Sequence, residues 1–542
     1  MKEQLHRRVD TNERQSPPRD GKRRLGCTTI GLCMVFGGSA AYSVMHATAE
    51  ESFGPHQATY SLNTSGEVVA DFGPLGTAEH SAEGLLPTSL TMLNLGATIT
   101  VGEIPSDAPI GTGSAGTIGL LSGDAEAYAQ FFSHPEVTLH NVTDKLIKDA
   151  AMHTLLYGGE VSAGLMAASL LLGSRRRQEL AEIIKKNRRR EMATLGLVGL
   201  GLSGCIAGGS VSGAATPPPG NPLFSNTALA GTHITGRLGE IVNTYGAQVT
   251  DYLEKDKIYY DNIAHNTEIA LENYSVPGGD SEKYITVAVA SDLHCNTGMA
   301  NAIHTVVVKT SANMVVDSGD TVMSGTAIEK YCVDTFSAAI PDKVEKVVAP
   351  GNHDSSVTIQ QEKDAGFTVL EGKVVAVGGL KILGDRDNYF NALGQPVKHI
   401  NDETIAQEGK RLAKVACSQP EPVDLLVVHR PEVAFPTLSE GCANTGFSGH
   451  MHVIDGPNIL NNGSISYTSG TTGGASENMP TLGTELGTEA NMTVWLFDKD
   501  TKKAVYMRTI TTHVDGSVSV SDWESLQPDT FNKNNGVVSA AK

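Results

Sequence analysis

Five short clusters of Asp, Asn and His stand out for their residue types and spacing. They are Ser291-Asp292-Leu293-His294, Gly319-Asp320, Gly351-Asn352-His353-Asp354, His429 within LLVVHRP, and Gly449-His450-Met451-His452. On extended backbone alternate side chains point the same way, so Asp292 and His294, or His450 and His452, can reach one ion. The set contains no Cys, which suits borderline to hard divalent ions such as Mn, Fe or Zn. Asp292, His294, Asp320, Asn352, His429, His450 and His452 are too many ligands for one ion and fit two that share a bridging carboxylate. Two divalent ions roughly 3.5–4 Å apart can clamp an oxyanion and ionise a water between them near neutral pH. Glycines beside Asp320, Asn352 and His450 permit tight turns and close backbone approach. Any one of these clusters occurs by chance, and a lone His is more often structural. Five in fixed order, each after an apolar run, are not explained by core packing.

The elements that must hold these clusters are legible from Lys283 onward. Tyr284–Ala290 (YITVAVA), Met314–Val316, Val347–Ala349, Leu425–Val428 and Thr445–Phe447 are short apolar runs that read as strands, and each cluster follows the end of one. Thr326–Ala339 and Glu403–Cys417 read as helices between them. Lys373–Leu383 reads as a hairpin turning at Gly378-Gly379, and Trp495–Val505 as a second turning at 498–503. The mixture predicts two packed sheets flanked by helices.

In order and in content the clusters resemble the calcineurin-like metallophosphoesterases, whose pattern is D-x-H, G-D, G-N-H-[DE], H and G-H-x-H. The resemblance covers about Ile285–Ile510 and implies a four-layered α/β/β/α sandwich with a binuclear centre. It implies that Asp292, His294 and His452 bind one ion and Asn352, His429 and His450 the other, with Asp320 bridging. It gives His353 the task of stabilising charge or protonating the leaving oxygen, with Asp354 orienting its imidazole. An acid beside a histidine fixes its tautomer and raises its pKa, which suits proton donation near neutral pH. Two departures are visible. His429 lacks a preceding Gly and is followed by Arg-Pro, a variation expected to matter little. Cys295 directly follows His294, where it reads as a small buried residue. Cys295, Cys332, Cys417 and Cys442 cannot be paired from sequence.

The chain has 542 residues and a net charge of -19. That length calls for several folded units, and the acidic balance argues against a nucleic-acid partner. Residues 25–45, 150–173 and 192–211 are long apolar stretches, the second broken by Glu160, and each could cross a bilayer. Arginine-rich flanks, in the tail 1–24 and in 174–190, place those segments on the cytoplasmic side. The expected topology is a cytoplasmic tail, three transmembrane helices and two outer parts: a small β-rich extracytoplasmic domain (48–149) and, after a Pro-rich linker and helical segment (212–282), the domain 283–542. The whole arrangement looks like membrane metallophosphoesterases of actinobacteria. Ala47-Thr48-Ala49 leaves open a cleaved signal peptide, and Leu202-Ser203-Gly204-Cys205 resembles an internal lipoprotein box. Glu160 is read as an acid near a helix end or facing a neighbouring helix. The scattered His56, His80, His134 and His140 read as surface residues. Leu238, Ile241, Val242, Tyr245 and Val249 recur at helical spacing and predict an amphipathic helix.

The expected function is a membrane-anchored, outward-facing hydrolase of phosphate esters, in which hydroxide held by the two ions attacks phosphorus. The alternative is an adhesion or sensory protein whose hydrolase-like domain only binds. That alternative predicts a lost ligand, and none is lost. A transporter would need more polar residues in the spans than Glu160 and His153.

Overall fold

The structure is a computed structural model that describes residues 20–54, 56–83, 86, 88–92, 94–102, 135–173, 175, 176, 179, 220, 221, 231–392, 396–476 and 485–526. The apolar stretch 192–211, His134 and most of the segments 1–24, 174–190 and 212–230 lie outside the described residues.

Two sheets form the centre of the C-terminal half. The first contains β7 (Tyr284–Ala290), β8 (Met314–Asp317), β9 (Glu345–Val348) and β10 (Thr368–Val369), together with β19 (Ala490–Asp498), β20 (Ala504–Thr512), β21 (Val518–Val520) and β22 (Glu524–Ser525), in the order β10-β9-β8-β7-β19-β20-β21 with β22 beside β20. The second contains β11 (Val375–Val377), β12 (Leu380–Gly384), β15 (Val423–Val427), β16 (Ala443–Ser448), β17 (Asp455–Ile459) and β18 (Ile465–Thr468), in the order β11-β12-β15-β16-β18-β17. Between β12 and β15, the short β13 (Tyr389–Phe390) and β14 (Lys398–His399) pair with each other. The two expected hairpins are present as β11–β12 and β19–β20.

Every residue of β7 is buried because both faces of its sheet are covered. Ile285, Val287 and Val289 meet Ile382, Leu425, Val427, Phe447 and Trp495 in a core between the sheets. Ala288 and Ala290 face the opposite way, toward α4 (Ala300–Lys309) and α5 (Lys330–Ala339). A further helix, α6 (Ser356–Asp364), connects β9 to β10. The outer face of the second sheet packs on α7 (Ile405–Cys417) and α8 (Pro431–Ser439). Those contacts make four layers, α/β/β/α. β7 through β10 run parallel, as do β12, β15, β16 and β18. The carboxyl ends of β7, β8, β9, β15 and β16 therefore open on one crevice, the usual place for a site in parallel sheets.

The N-terminal half has its own sheet. β1 (Thr48–Phe53), β2 (His56–Asn63), β3 (Glu67–Asp71), β4 (Thr77–Ser81), β5 (Gly96–Val101) and β6 (His233–Ile234) lie in the order β1-β2-β5-β3-β4-β6. β6 comes from far along the chain and is too short for a sequence pattern to show. α1 (Asp20–His46) leads into β1, and α2 (Pro135–Leu171) continues through position 150, so the end of the small domain and the second apolar stretch are one helix. Val142 and Leu146 of α2 cap the core formed by Phe53, Tyr60 and Ile99. Farther along, Tyr42 of α1 meets Tyr157 edge-on, and Gly158 lets the Phe36 ring approach closely. Val137–Leu171 is the single helix among the described residues long and apolar enough to cross a membrane, and little of it is buried.

Helix α3 (Gly236–Ala270) is present where the periodicity placed one. Its later half docks on the C-terminal half through Tyr260 and Ile263 in the helix-side core and through Asn266, whose side chain donates to Gly516 O at 2.8 Å. The small domain touches the same half through α5. Asn141 Nδ2 donates to Asp334 Oδ2 at 2.8 Å, and the buried Glu51 carboxylate faces Lys145 at 2.7 Å and Lys330 at 3.5 Å.

Candidate metal centre

The ligand-bearing loops adopt backbone that side chains usually avoid. Asp292, His294, Asp320, His450 and His452 have φ of 52°, 46°, 59°, 70° and 55°. Left-handed residues other than glycine cost on the order of 1–2 kcal/mol each and persist where surroundings over-determine them. The surroundings are hydrogen bonds between loops. Backbone N–H groups of Asp292, His294 and Cys295 donate to the carbonyls of Gly319, Asp320 and Thr321 at 2.8, 2.9 and 2.9 Å. His450 N–H donates to Asp292 Oδ2 at 3.0 Å. A Cβ on Gly449 would collide with the Ser291 hydroxyl and the Asp292 carboxylate, and one on Gly351 with Asp320, so both glycines are required by close approach.

Three of the expected ligands, Asp292, His294 and His452, form one group whose ligand atoms lie within 4.8 Å of one another, and Asp320, His429 and His450 form another. Asp320 is central: His353 N–H donates to its Oδ1 at 2.8 Å, while Oδ2 lies 3.1 Å from His429 Nε2 and 3.8 Å from His294 Nε2. Asn352 Oδ1 is 3.3 Å from a guanidinium nitrogen of Arg430, which also meets His450.

The imidazoles show what the site is built to hold. His429 Nδ1 lies 2.8 Å from Ser318 O, and His452 Nδ1 lies 2.8 Å from Ala475 O. Carbonyls only accept, so Nδ1 carries the hydrogen and the lone pair of each neutral ring is on Nε2. Those lone pairs point at carboxylate oxygens: His429 Nε2 at Asp320 Oδ2, and His452 Nε2 at Asp292 Oδ1 at 3.3 Å, with His294 Nε2 3.1 Å away. His429 Nε2 is buried with no hydrogen-bond partner. Acceptor faces acceptor at each gap, and only positive charge resolves that. The same demand appears in the titration of the groups. Burial would push the His429 imidazolium down, but the Asp320 carboxylate beside it holds its pKa well above the ordinary value, and Asp320 is held well below its own. His294, dominated by burial, is pushed down to about 4. The donor set fits two divalent cations.

His353 and Asp354 sit beside this cluster, but not in the relation the sequence suggests. His353 Nδ1 lies 2.6 Å from Met323 O, so that carbonyl fixes the tautomer and leaves Nε2 for the crevice. Asp354 makes no hydrogen bond to the ring. It is fully buried, and its carboxylate accepts from the backbone N–H groups of Asp320 and Gly351 at 2.8 Å, Val322 at 3.3 Å and Thr321 at 3.4 Å. Burial, then the charge of Asp320, raises its pKa to about 6. Asp354 therefore ties the Asp320 loop to the Gly351 loop, and the expectation that it orients His353 is corrected.

Sequence reasoning also missed several contributors. Ser291 Oγ donates to Asp292 Oδ2 at 2.6 Å, and Thr471 Oγ1 donates to Asp292 O at 2.7 Å. Arg430 enters the centre itself; its place directly after His429 was the only signal. Cys295 is joined to Cys332, and Cys417 to Cys442, so Cys295 is half of a bridge and neither pair offers a thiolate ligand.

Residues 285–453 match the sequence model of the calcineurin-like phosphoesterase family. The resemblance carried by the five clusters is met by that match, and family members use two divalent ions. No curated protein matches the chain in sequence. Solved structures that match part of the chain include an archaeal phosphodiesterase (13% identity, 42% of this chain and 99% of that one, TM-score 0.26). Others are a 5'-nucleotidase precursor from Thermus thermophilus (14%, 45% and 55%, TM-score 0.27) and the NAD nucleotidase of Haemophilus influenzae (12%, 44% and 49%, TM-score 0.25).

Proposed function

We propose that the chain is a membrane-anchored, outward-facing, metal-dependent hydrolase of phosphate esters. The observation that carries the reading is the convergence of imidazole lone pairs and two buried carboxylates on gaps that call for positive charge. Asp292, His294 and His452 would hold one ion and Asn352, His429 and His450 the other, with Asp320 between them. Two such ions supply Lewis acidity toward phosphoryl oxygens and make water acidic near neutral pH. The chain's own groups do the rest. His353, its Nδ1–H on Met323 O, turns Nε2 toward the leaving oxygen and in its imidazolium form would pass it a proton, while the amide-pinned loops keep the ligands in place before substrate arrives.

Anchoring is supported by the apolar, exposed helix Val137–Leu171 and by α1 packed along it. Asn141, which touches α5, lies only nine residues before position 150, about 13 Å along a helix, so the hydrolase domain would rest near the bilayer surface. The two disulfides favour an oxidising compartment, in keeping with an outer face.

The test uses the full chain in detergent, stripped of metal by chelation and then given Mn, Fe or Zn, with an aryl phosphate monoester and a diester as substrates. Metal-dependent turnover is expected, and Asp320→Ala should lower it by more than about 100-fold. Turnover that ignores metal, or full activity in Asp320→Ala, overturns the reading.

A further inference from the structure

Arg430 places a fixed positive charge where a cation should go. Its Nε donates to Asp387 Oδ2 at 2.6 Å, its guanidinium lies 5.2 Å from the centre of the Tyr389 ring, and its far nitrogens reach inward. Nη1 is 2.7 Å from His450 Nε2, and Nη2 is 3.3 Å from Asn352 Oδ1. A guanidinium has only donors, so His450 Nε2 must be the acceptor. A neutral imidazole has a single ring lone pair, and Arg430 consumes it. If the ring changes tautomer to offer Nδ1 instead, Nε2–H then faces an Arg N–H and the contact is lost. Either way, His450 cannot serve Arg430 and a cation together.

We propose that Arg430 gates the second cation position: it competes for His450 and Asn352, so the two positions fill unequally, and it is released when its guanidinium turns to a phosphoryl group. The proposal rests on the two-cation reading above and adds an order of events to it. The Asp292, His294 and His452 group is untouched by Arg430 and fills first. A phosphoryl oxygen pair is the bidentate partner a guanidinium fits best. While anchored at Nε by Asp387, Arg430 can exchange His450 and Asn352 for such a group over a short distance. Substrate then favours the completed centre, and an empty crevice keeps its second position weak.

The experiment is a Mn titration of metal-free full chain followed by calorimetry, with bound metal counted after dialysis, for wild type and Arg430→Gln. Glutamine removes the charge while its amide can still donate to the buried Asp387. In wild type two steps are expected, the second weaker by about tenfold to a hundredfold, the weight of one charge-assisted hydrogen bond. Inorganic phosphate should tighten the weaker step in wild type. In Arg430→Gln the gap should shrink by about tenfold, and the phosphate effect should disappear. Two equal steps in wild type, or a gap and a phosphate effect unchanged in the variant, overturn the role of Arg430 and leave the metal centre standing. Absence of any Mn binding overturns the two-cation reading itself. If the variant does not fold, the wild-type steps and their response to phosphate still decide.

Discussion

Asp354 separates a side chain that builds the site from one that works in it. Its Oδ2 takes two backbone N–H groups at 2.8 Å, from Asp320 and Gly351, and Oδ1 takes Val322 at 3.3 Å. Asp354→Ala strands those donors where water does not reach. A buried donor left unsatisfied costs about 1–3 kcal/mol, so the two close ones alone cost about 2–6 kcal/mol. Relief from burying a carboxyl whose pKa is raised to about 6 trims that figure. Native stabilities are about 5–15 kcal/mol, and at about 2–4 °C per kcal/mol for a domain of this size the melting point should fall by about 10 °C. Asp354→Asn should be milder, because its one oxygen can keep the Asp320 and Gly351 amides and only the longer contact, from the Val322 N–H, is lost to a facing NH2. The assay is thermal unfolding of the metal-free full chain in detergent, so that ion binding does not mask the loss. Hydrogen exchange at the amides of 320, 322 and 351 should locate it. An acid that merely oriented His353 would leave stability alone and slow only turnover. A melting point of Asp354→Ala within about 3 °C of wild type, with those amides still protected, refutes the reasoning.

Two further outcomes follow from the same geometry. Glu408 is buried on α7, and burial, then the charges of Asp387 and Asp385, raises its pKa to about 8; its native proton stabilises the fold below about pH 4.5, and that contribution is lost as pH rises through 8. Glu408→Gln should therefore match wild type in thermal unfolding at pH 5 and exceed it at pH 9 by at most about 5 kcal/mol, and parallel curves across that window would contradict the assignment. His353→Gln should slow hydrolysis about 100-fold or more for esters with poor leaving groups and less for aryl esters. Bound metal should stay unchanged because Asp320 is held by the His353 backbone rather than its ring, and metal lost on dialysis would make His353 a ligand instead.

What could be read from the sequence was what depends on residue type along a strand. The runs ending at Ala290, Val316, Ala349, Val428 and Phe447 are apolar because both faces of each parallel sheet are covered, and the Asp, Asn and His that follow them had nowhere to be but the carboxyl ends. What could not be read was set by backbone direction. Adjacency suggested that Asp354 pairs with the ring of His353, yet neighbouring side chains diverge, and the acid turned inward to amides while Met323 O took the ring. The four cysteines of the C-terminal half allow three pairings, and only the fold brings Cys295 to Cys332 and Cys417 to Cys442. Nothing in the letters Asp and His announces φ near +50°. Arg430 was visible but looked harmless, because its reach to His450 depends on Asp387 and Tyr389, brought from another loop.

The small domain and the candidate metal crevice share one short stretch of chain. Met323, whose carbonyl holds His353, begins a loop pinned by Glu329, which accepts from the N–H groups of Met323, Ser324 and Thr326 at 2.8, 2.9 and 2.8 Å. The next residue, Lys330, faces the buried Glu51 of β1, and Asp334 one turn later takes the amide of Asn141 from α2. Glu51 and Asn141 thus bear on the helix whose first turn ends the loop that orients His353. A displacement of α2 along its axis would reach α5 through these two contacts before it reached any metal ligand. The geometry therefore makes His353, rather than the ligand set, the part of the centre most exposed to whatever acts on the apolar helices.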